Sequence, residues 1–441
     1  MSKSRLVVVG GGVGGAAAVV ELRKEGFDGS ITLISAENTV PYERPPLSKE
    51  FLLGAPAADS TVEDAAWYEQ QEIELLLGVR GTQLDLTART ITLSDGSAIG
   101  YDGLLLATGV RPRILQGIGG EGVCYLRTVT DATELRDRIR AAEHVAMLGG
   151  GFIGCEIAAA AIQLGKRTTI LEALPSLLHR ALGPALGDVV AGIHRDKGVD
   201  VRTGQFVTGV QRRPRGGVRI GTAEGTIEAD VLVVGVGTVP NQELAEQAGL
   251  PTGDGIAVDE CFATAAPGVY AIGDVAAQHL PRYGRHVRVE HHDTAIRHGR
   301  AAARNILGRR EPFSDVHWFW SDQYEHSIQS AGIAGDTEQL IIRGSLEHRS
   351  FSAFCLDGDR LRAVISLNRP RDVLDVRRLI THNHSATVDQ LRDESVPLKR
   401  LAAPPSAVTV RPSPLLQRGH RMGQDTCRRI GHRRTGRRHH P

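Results

Sequence analysis

Two glycine patterns in this 441-residue chain carry the first sign of chemistry. Gly10, Gly12 and Gly15 follow the GxGxxG spacing, and Glu37 stands beyond the next apolar run; Gly149, Gly151 and Gly154 repeat the spacing, with Glu172 in the matching place. Each glycine has a physical job: a tight turn, close approach of backbone to a pyrophosphate, and close packing of helix on strand. The helix that follows offers free N–H groups and a positive dipole end to the phosphates. The acid accepts hydrogen bonds from the ribose hydroxyls. Two complete fingerprints therefore predict two dinucleotide sites. At the second, the Glu172 carboxylate repels a 2′-phosphate, so NADH is expected over NADPH. The competing arrangement has Arg167 or Arg180 admit that phosphate.

A third stretch, "PYERPPLSKE" from Pro41 to Glu50, sets Arg44 and Lys49 on a frame stiffened by three prolines. Proline fixes φ and restrains its predecessor, so few conformations are open to it. Ser48 reads as the N-cap of a helix starting in "KEFLL". Two immobilised cations predict an anionic or electron-rich group docked against them. Further on, "GVYAIGDVA" places Asp274 between a strand and an expected helix, where its carboxylate can hold a ribityl hydroxyl. "LLLATGVRP" ends a strand on Thr108 and Gly109, a natural crossover between domains. Two dinucleotides in one chain imply internal electron transfer, from a diffusible nicotinamide to a bound flavin.

The elements that must position these residues are also legible. "SRLVVVG" has the continuous apolar run of a buried parallel strand, "AAAVVELRKEG" is helical with Gly26 as its C-cap, and "SITLIS" is the next strand. "HVAMLGGGFIGCEIAAAAIQLGKRTTILEA" repeats the unit. The expected fold is α/β: two doubly wound dinucleotide-binding domains built on right-handed crossovers, plus a small C-terminal α/β domain. The boundaries are drawn at 1–108 with 242–317 for the flavin, 109–241 for the nicotinamide, and 318–400 for the third domain.

Composition narrows the class. A chain of this length can bury several cores, and its 51 glycines suit many tight turns between strand and helix. No stretch approaches the length of an apolar membrane span, and the N-terminus lacks a signal-peptide pattern, so a cytoplasmic protein is expected. The five cysteines are widely spaced and form no CxxC pair, which excludes a disulfide framework and a local dithiol centre. Cys155, inside the second fingerprint, is expected to act as a small hydrophobe. Residues 402–441 hold nine arginines and one acid, Asp425, leaving a body of about −7 in a chain of net +1. This basic tail is expected to be disordered and outside the chemistry; binding of nucleic acid or an acidic partner is the alternative.

Residues 4–400 resemble the FAD-dependent, NADH-using ferredoxin reductases of bacterial P450 and Rieske oxygenase systems. The resemblance rests on "PYERPPLSK", "LATGVRPR", "YLRT", "GGGFIGCE", "VGVGTVPN", "YAIGDVA", "WFWSDQY", "NRP" and "DESVPLK", in that order. It implies a glutathione-reductase-like arrangement, FAD and NADH as cofactors, and a 2Fe-2S ferredoxin, expected to be acidic, as partner. It further implies that Arg44 contacts the FAD pyrophosphate and that Lys49 reaches the isoalloxazine near N5. Glu156 would face the nicotinamide and pair with Lys49. Further FAD contacts would come from Gly14, the Ala36–Glu37 strand end, Gly81, Arg127, Asp274 and the segment from Glu290 to His292, with Trp320 covering the flavin edge. Ile153, Arg180 and Gly237 would lie along NAD. Family members often carry Trp and Gln where this chain has His292 and His298, so these two histidines are expected near the flavin's pyrimidine edge. Related enzymes that reduce rubredoxin, a peroxide, a quinone or O2 are the neighbouring readings. A peroxide or disulfide reductase of this fold would want a reactive cysteine within residues 37–50, and there is none. A redox-sensing nucleic-acid-binding flavoprotein, acting through the tail, is the remaining one.

Overall fold

The computed structural model describes residues 4–56, 60–214, 216–334 and 339–401. The basic tail over 402–441, expected to be disordered, lies outside the described residues. The chain is α/β; among the described residues three of its sheets are five-stranded, two parallel and a third antiparallel, and four smaller sheets accompany them.

In the first sheet, Arg5–Val9 lies between Ser30–Ser35 and Gly103–Leu106, with Ile73–Leu77 and Val269–Ala271 at the edges. Both faces are covered, so the strands are apolar almost without interruption: Val7, Val8, Leu33, Leu104 and Leu105 are all buried. The helix Val13–Lys24 owes its fit to small residues. Gly14 to Ala18 are buried, and a Cβ on Gly299 of the helix His292–Ile306 would meet the Ala18 nitrogen at 3.0 Å. The two helices therefore touch backbone to backbone, which brings His291 and His292 beside the first fingerprint.

The second sheet has the order Asp200–Thr203, Arg167–Glu172, His144–Leu148, Val231–Val234, Val123–Cys124, again all parallel. The chain passes between the two sheets twice, at Gly109 and at Asn241. The strands Val110–Pro112 and Thr238–Pro240 pair antiparallel there. Thr108 Oγ1 donates to the Asn241 carbonyl at 2.6 Å, and Asn241 Nδ2 donates back to the Thr108 carbonyl at 2.8 Å.

The third sheet runs Trp318–Gln323, His326–Gly332, Arg360–Leu367, Ser350–Asp357, Gln339–Ser345, with the helix Pro370–Thr381 against it. It is antiparallel throughout, so this part of the chain joins an antiparallel sheet to a helix, beside the two parallel-sheet units. Its first strand leans on the helix Phe152–Gln163: Phe319 meets Phe152 with ring centroids 4.3 Å apart. No helix among the described residues is long and apolar enough to cross a membrane.

Candidate functional site

The two fingerprints fold alike. Gly10 and Gly149 have φ of +130° and +106° and press against the carbonyls of Ala107 and Gly235, so any side chain there would overlap backbone. A Cβ on Gly15 would overlap the Gly10 carbonyl, and one on Gly154 the Gly149 carbonyl: these glycines close helix onto strand. Gly12 and Gly151 are different, with nothing within 4 Å of an added Cβ. They cap the helices Val13–Lys24 and Phe152–Gln163 without a side-chain cap, which leaves the first-turn N–H groups open to a ligand.

A cleft of about 840 Å³ lies where the three sheets meet. Its wall includes Gly12, Gly14, Arg44, Lys49, Gly109 and Arg127, with Ile153, Glu156, Arg180, Asp274, Glu290, His292 and Trp320 opposite or alongside. Leu47 and Leu52 are buried on either side of Lys49 and anchor the proline segment, so its ammonium hangs on a short, fixed tether. Lys49 Nζ stands 3.7 Å from Glu156 Oε1 and 5.8 Å from the centroid of the Trp320 ring. Glu156 is 7% exposed. Burial pushes its pKa up, opposed by the Lys49 charge and by hydrogen bonds from Ser321 and Ser48.

Charged pairs line the rest of the cleft. Arg127 Nη2 meets Asp274 Oδ2 at 3.2 Å. Arg44 donates to Glu37 Oε1 at 2.7 Å and to the Arg127 carbonyl at 2.5 Å, while the Tyr42 hydroxyl donates to Glu37 Oε2 at 2.6 Å. Glu290 accepts from Thr238 Oγ1 and Arg288 Nη1, each at 2.5 Å. Glu172 accepts from the amides of Gly150 and Leu174, both at 2.7 Å, and so fastens the second fingerprint turn. His292 sits edge-on to Trp320 with centroids 5.8 Å apart, its Nε2 3.6 Å from Glu43. Burial lowers its pKa, and the Glu43 carboxylate opposes that.

Comparison with known proteins decides the family. The profile of the pyridine nucleotide-disulphide oxidoreductases matches residues 4–299, and that of the reductase C-terminal family matches residues 318–402. The chain belongs to the pyridine nucleotide-disulphide oxidoreductase family. It is 39% identical over 403 residues to the ferredoxin–NAD(+) reductase component of the anthranilate 1,2-dioxygenase system of Burkholderia cepacia, covering 90% of this chain and 99% of that one. Putidaredoxin reductase of Pseudomonas putida is 36% identical over 413 residues, 91% of this chain and 97% of its own. The crystal structure of the covalent putidaredoxin reductase–putidaredoxin complex superposes with a TM-score of 0.88 at 36% identity, covering 91% of this chain and 98% of that chain. The resemblance drawn from the motifs is thus borne out.

Against this family frame, several residues stand elsewhere than expected. Ser48 caps no helix: Pro45–Ser48 is a 3-10 turn, the short helix Glu50–Leu53 starts after Lys49, and the Ser48 hydroxyl turns inward to Glu156. Asp274 precedes no helix either. It lies in a single 3-10 turn, Gly273–Val275, because the following Ala276–Leu280 alternates buried and half-buried residues and pairs as a strand. Gly81 is not brought to the cleft; it opens the strand Gly81–Asp85, and a Cβ there would meet Ile91 at 2.7 Å and Leu244 at 3.1 Å. His298 is buried behind the cleft against Phe262 and Phe313 rather than lining it, touching the site only through the Gly273 amide at 3.4 Å. Ala36 is exposed at the end of Ser30–Ser35. Gly237 has φ +103° beside the crossover strand. Arg167 stands at the far end of its strand from Glu172 and bonds His144 at 2.7 Å, so it cannot serve a phosphate there. Cys155 is buried, and burial raises its thiol pKa, as fits a small hydrophobe. Ser321, Phe152 and Phe319 were missed. Only the alternation inside "WFWSDQY", which sends Ser321 to the side opposite Trp320, would have marked the serine.

Proposed function

We propose that this chain is an NADH:ferredoxin oxidoreductase that passes electrons from NADH through FAD to a 2Fe-2S ferredoxin serving an oxygenase of the P450 or Rieske type. The observation that carries the reading is the Lys49–Glu156 pair, held at the junction of two dinucleotide fingerprints and lidded by Trp320. The relatives named above, reductases of dioxygenase and putidaredoxin systems, support it.

The residues present fit FAD at the first fingerprint. Gly12 leaves an open cradle, the helix N–H groups are free, and Arg127 with Asp274 presents a donor and an acceptor to the middle of an extended dinucleotide. We assign its hold to Gly10, Gly12, Gly14, Gly15, Glu37, Arg44, Thr108, Gly109, Arg127, Asp274 and Glu290, and NADH to Gly149, Gly151, Ile153, Gly154, Glu172, Arg180 and Gly237. We assign residues 1–108 with 242–317 to the FAD domain, 109–241 to the NAD domain and 318–400 to the cover. FAD supplies the capacity to take a hydride from NADH and give up its electrons singly. Lys49 places a fixed cation where electron density grows, and a preorganised charge costs no rearrangement at that moment. Glu156 holds that cation in place. Trp320 and Phe319 keep water from the reacting face. A cytoplasmic location completes the proposal, in keeping with free thiols at Cys124, Cys155 and Cys261.

The test is rapid mixing of the NADH-reduced protein with a 2Fe-2S ferredoxin, rubredoxin and O2 in parallel. Fastest reoxidation by the ferredoxin is expected; faster transfer to rubredoxin or O2 would overturn the reading. Asp274→Ala tests the cofactor hold separately. It removes one charged contact and leaves Arg127 without its carboxylate, so FAD should bind about 10-fold more weakly or worse. Flavin content measured after gel filtration should fall, and an unchanged content would remove Asp274 from the FAD site.

A further inference from the structure

Glu156 is held by more than its ion pair. Its Oε2 accepts from Ser48 Oγ at 2.5 Å and its Oε1 from Ser321 Oγ at 2.6 Å, and both serines are buried. Behind Ser321 the contacts continue inward. Gln323 Nε2 donates to Ser321 Oγ at 3.2 Å; His194 Nε2 lies 3.0 Å from Gln323 Oε1, and His194 Nδ1 lies 3.0 Å from the Tyr324 hydroxyl. Ser321 and His194 are 0% exposed and Gln323 is 2%.

Donor and acceptor chemistry gives these links one direction. The Gln323 amide spends a proton on Ser321, so its oxygen must accept from His194. His194 then carries its proton on Nε2, and Nδ1 accepts from the Tyr324 hydroxyl. Burial holds the imidazole neutral, lowering its pKa to about 4. Ser321, relieved of any need to accept elsewhere, points its single proton at Glu156. We infer that Ser321, Gln323 and His194 are positioning residues, a one-way hydrogen-bond chain from Tyr324 that keeps Glu156 Oε1 an acceptor, favours the charged carboxylate and so fixes the Lys49 ammonium in the cleft.

Ser48 is the contrasting side. Its hydroxyl also lies 3.5 Å from the Pro45 carbonyl, so it can turn there and accept from a protonated Glu156. The Ser321 side has no such alternative, since its proton would have to leave a buried carboxylate for nothing. The charged and titratable groups facing Glu156 are Lys49 from the proline segment, Asp322 from the strand Trp318–Gln323 and the Cys155 thiol beside it on the helix. Asp322 raises its proton affinity and Lys49 lowers it. Together with the Lys49 charge, the two serine hydrogen bonds favour the charged form against the burial that raises its proton affinity.

The inference rests on the role given to Lys49 and Glu156 above, and its test separates the two. In the FAD-loaded protein, an infrared pH titration with Glu156→Gln as the subtracted reference reads Glu156 protonation directly. Ser321→Ala should move that titration up by about one to two pH units. Gln323→Leu should move it up by less, and Ser321→Thr, which keeps the hydroxyl, should restore the wild-type value. The acid limb of the single-turnover hydride-transfer profile should move with it. An infrared titration of Ser321→Ala at the wild-type pH would overturn the chain, whatever the activity. If the titration moves while Lys49→Met transfers hydride at the wild-type rate, the chain stands and the functional reading fails.

Discussion

Lys49→Met is expected to slow hydride transfer from NADH roughly 10- to 100-fold, the loss of one charge-assisted contact of about 1.5–3 kcal/mol. Methionine keeps most of the volume between Leu47 and Leu52, so the proline segment should hold its course. FAD affinity should change much less, because the proposed pyrophosphate and ribose contacts lie at the fingerprint and at Arg127 and Asp274. The flavin midpoint potential should shift negative once the cation that favours the electron-rich ring is gone. Rapid mixing with NADH, alongside a potential titration, measures both effects. Wild-type transfer with an unmoved potential would leave Lys49 a spectator.

The same variant has a stability signature whose sign follows from burial. Glu156 has a folded pKa raised above its unfolded one, so burying it destabilises the protein in full above the folded pKa, and the cost shrinks as pH falls through the folded pKa and is gone below the unfolded one. In the wild type Lys49 opposes that rise. Without Lys49 the raised pKa climbs further, and the deficit relative to wild type should be largest at neutral pH and shrink on acidification. Adding Glu156→Gln should recover much of it, by thermal unfolding at neutral pH.

Glu172→Ala is expected to lower the preference for NADH over NADPH roughly 10- to 100-fold, as the ratio of kcat/KM values. The geometry adds a reason beyond charge repulsion. The carboxylate fastens the Gly150 and Leu174 amides, so its removal weakens NADH binding and at the same time frees two donors for a phosphate. Arg180 is exposed on the cleft wall. Glu172→Gln, which keeps an acceptor but drops the charge, should fall between. A wild-type protein that prefers NADPH would show the second strand end to be misread.

What the sequence determined by itself is whatever a position demands of residue type, above all where only glycine fits or where proline fixes φ. Gly10, Gly15, Gly149 and Gly154 sit where any Cβ would strike a carbonyl, so glycine spacing alone announced both dinucleotide turns. Continuous apolar runs such as Leu6–Val9 and Val231–Val234 announced strands covered on both faces. The proline-fixed frame announced that Lys49 is immobilised. Only tertiary structure decided what it is immobilised against. Ser48 looked like a cap because Ser is a good local acceptor, yet it closes the turn Pro45–Ser48 one residue before the helix cap and gives its proton to a buried carboxylate more than a hundred residues away. Asp274 looked like a helix start, until pairing with Gly255–Val258 claimed the following residues for a sheet. Strand alternation could mark Ser321 and Gln323 as inward, but nothing in the spacing links them to His194, for their order exists only along hydrogen bonds that join a strand to a helix from another part of the chain. Steric exclusion at a fixed backbone position admits glycine alone, whichever part of the chain presses on it, and so leaves its mark in residue type and spacing; proton direction in a buried network is set by which distant groups fold together, and leaves none.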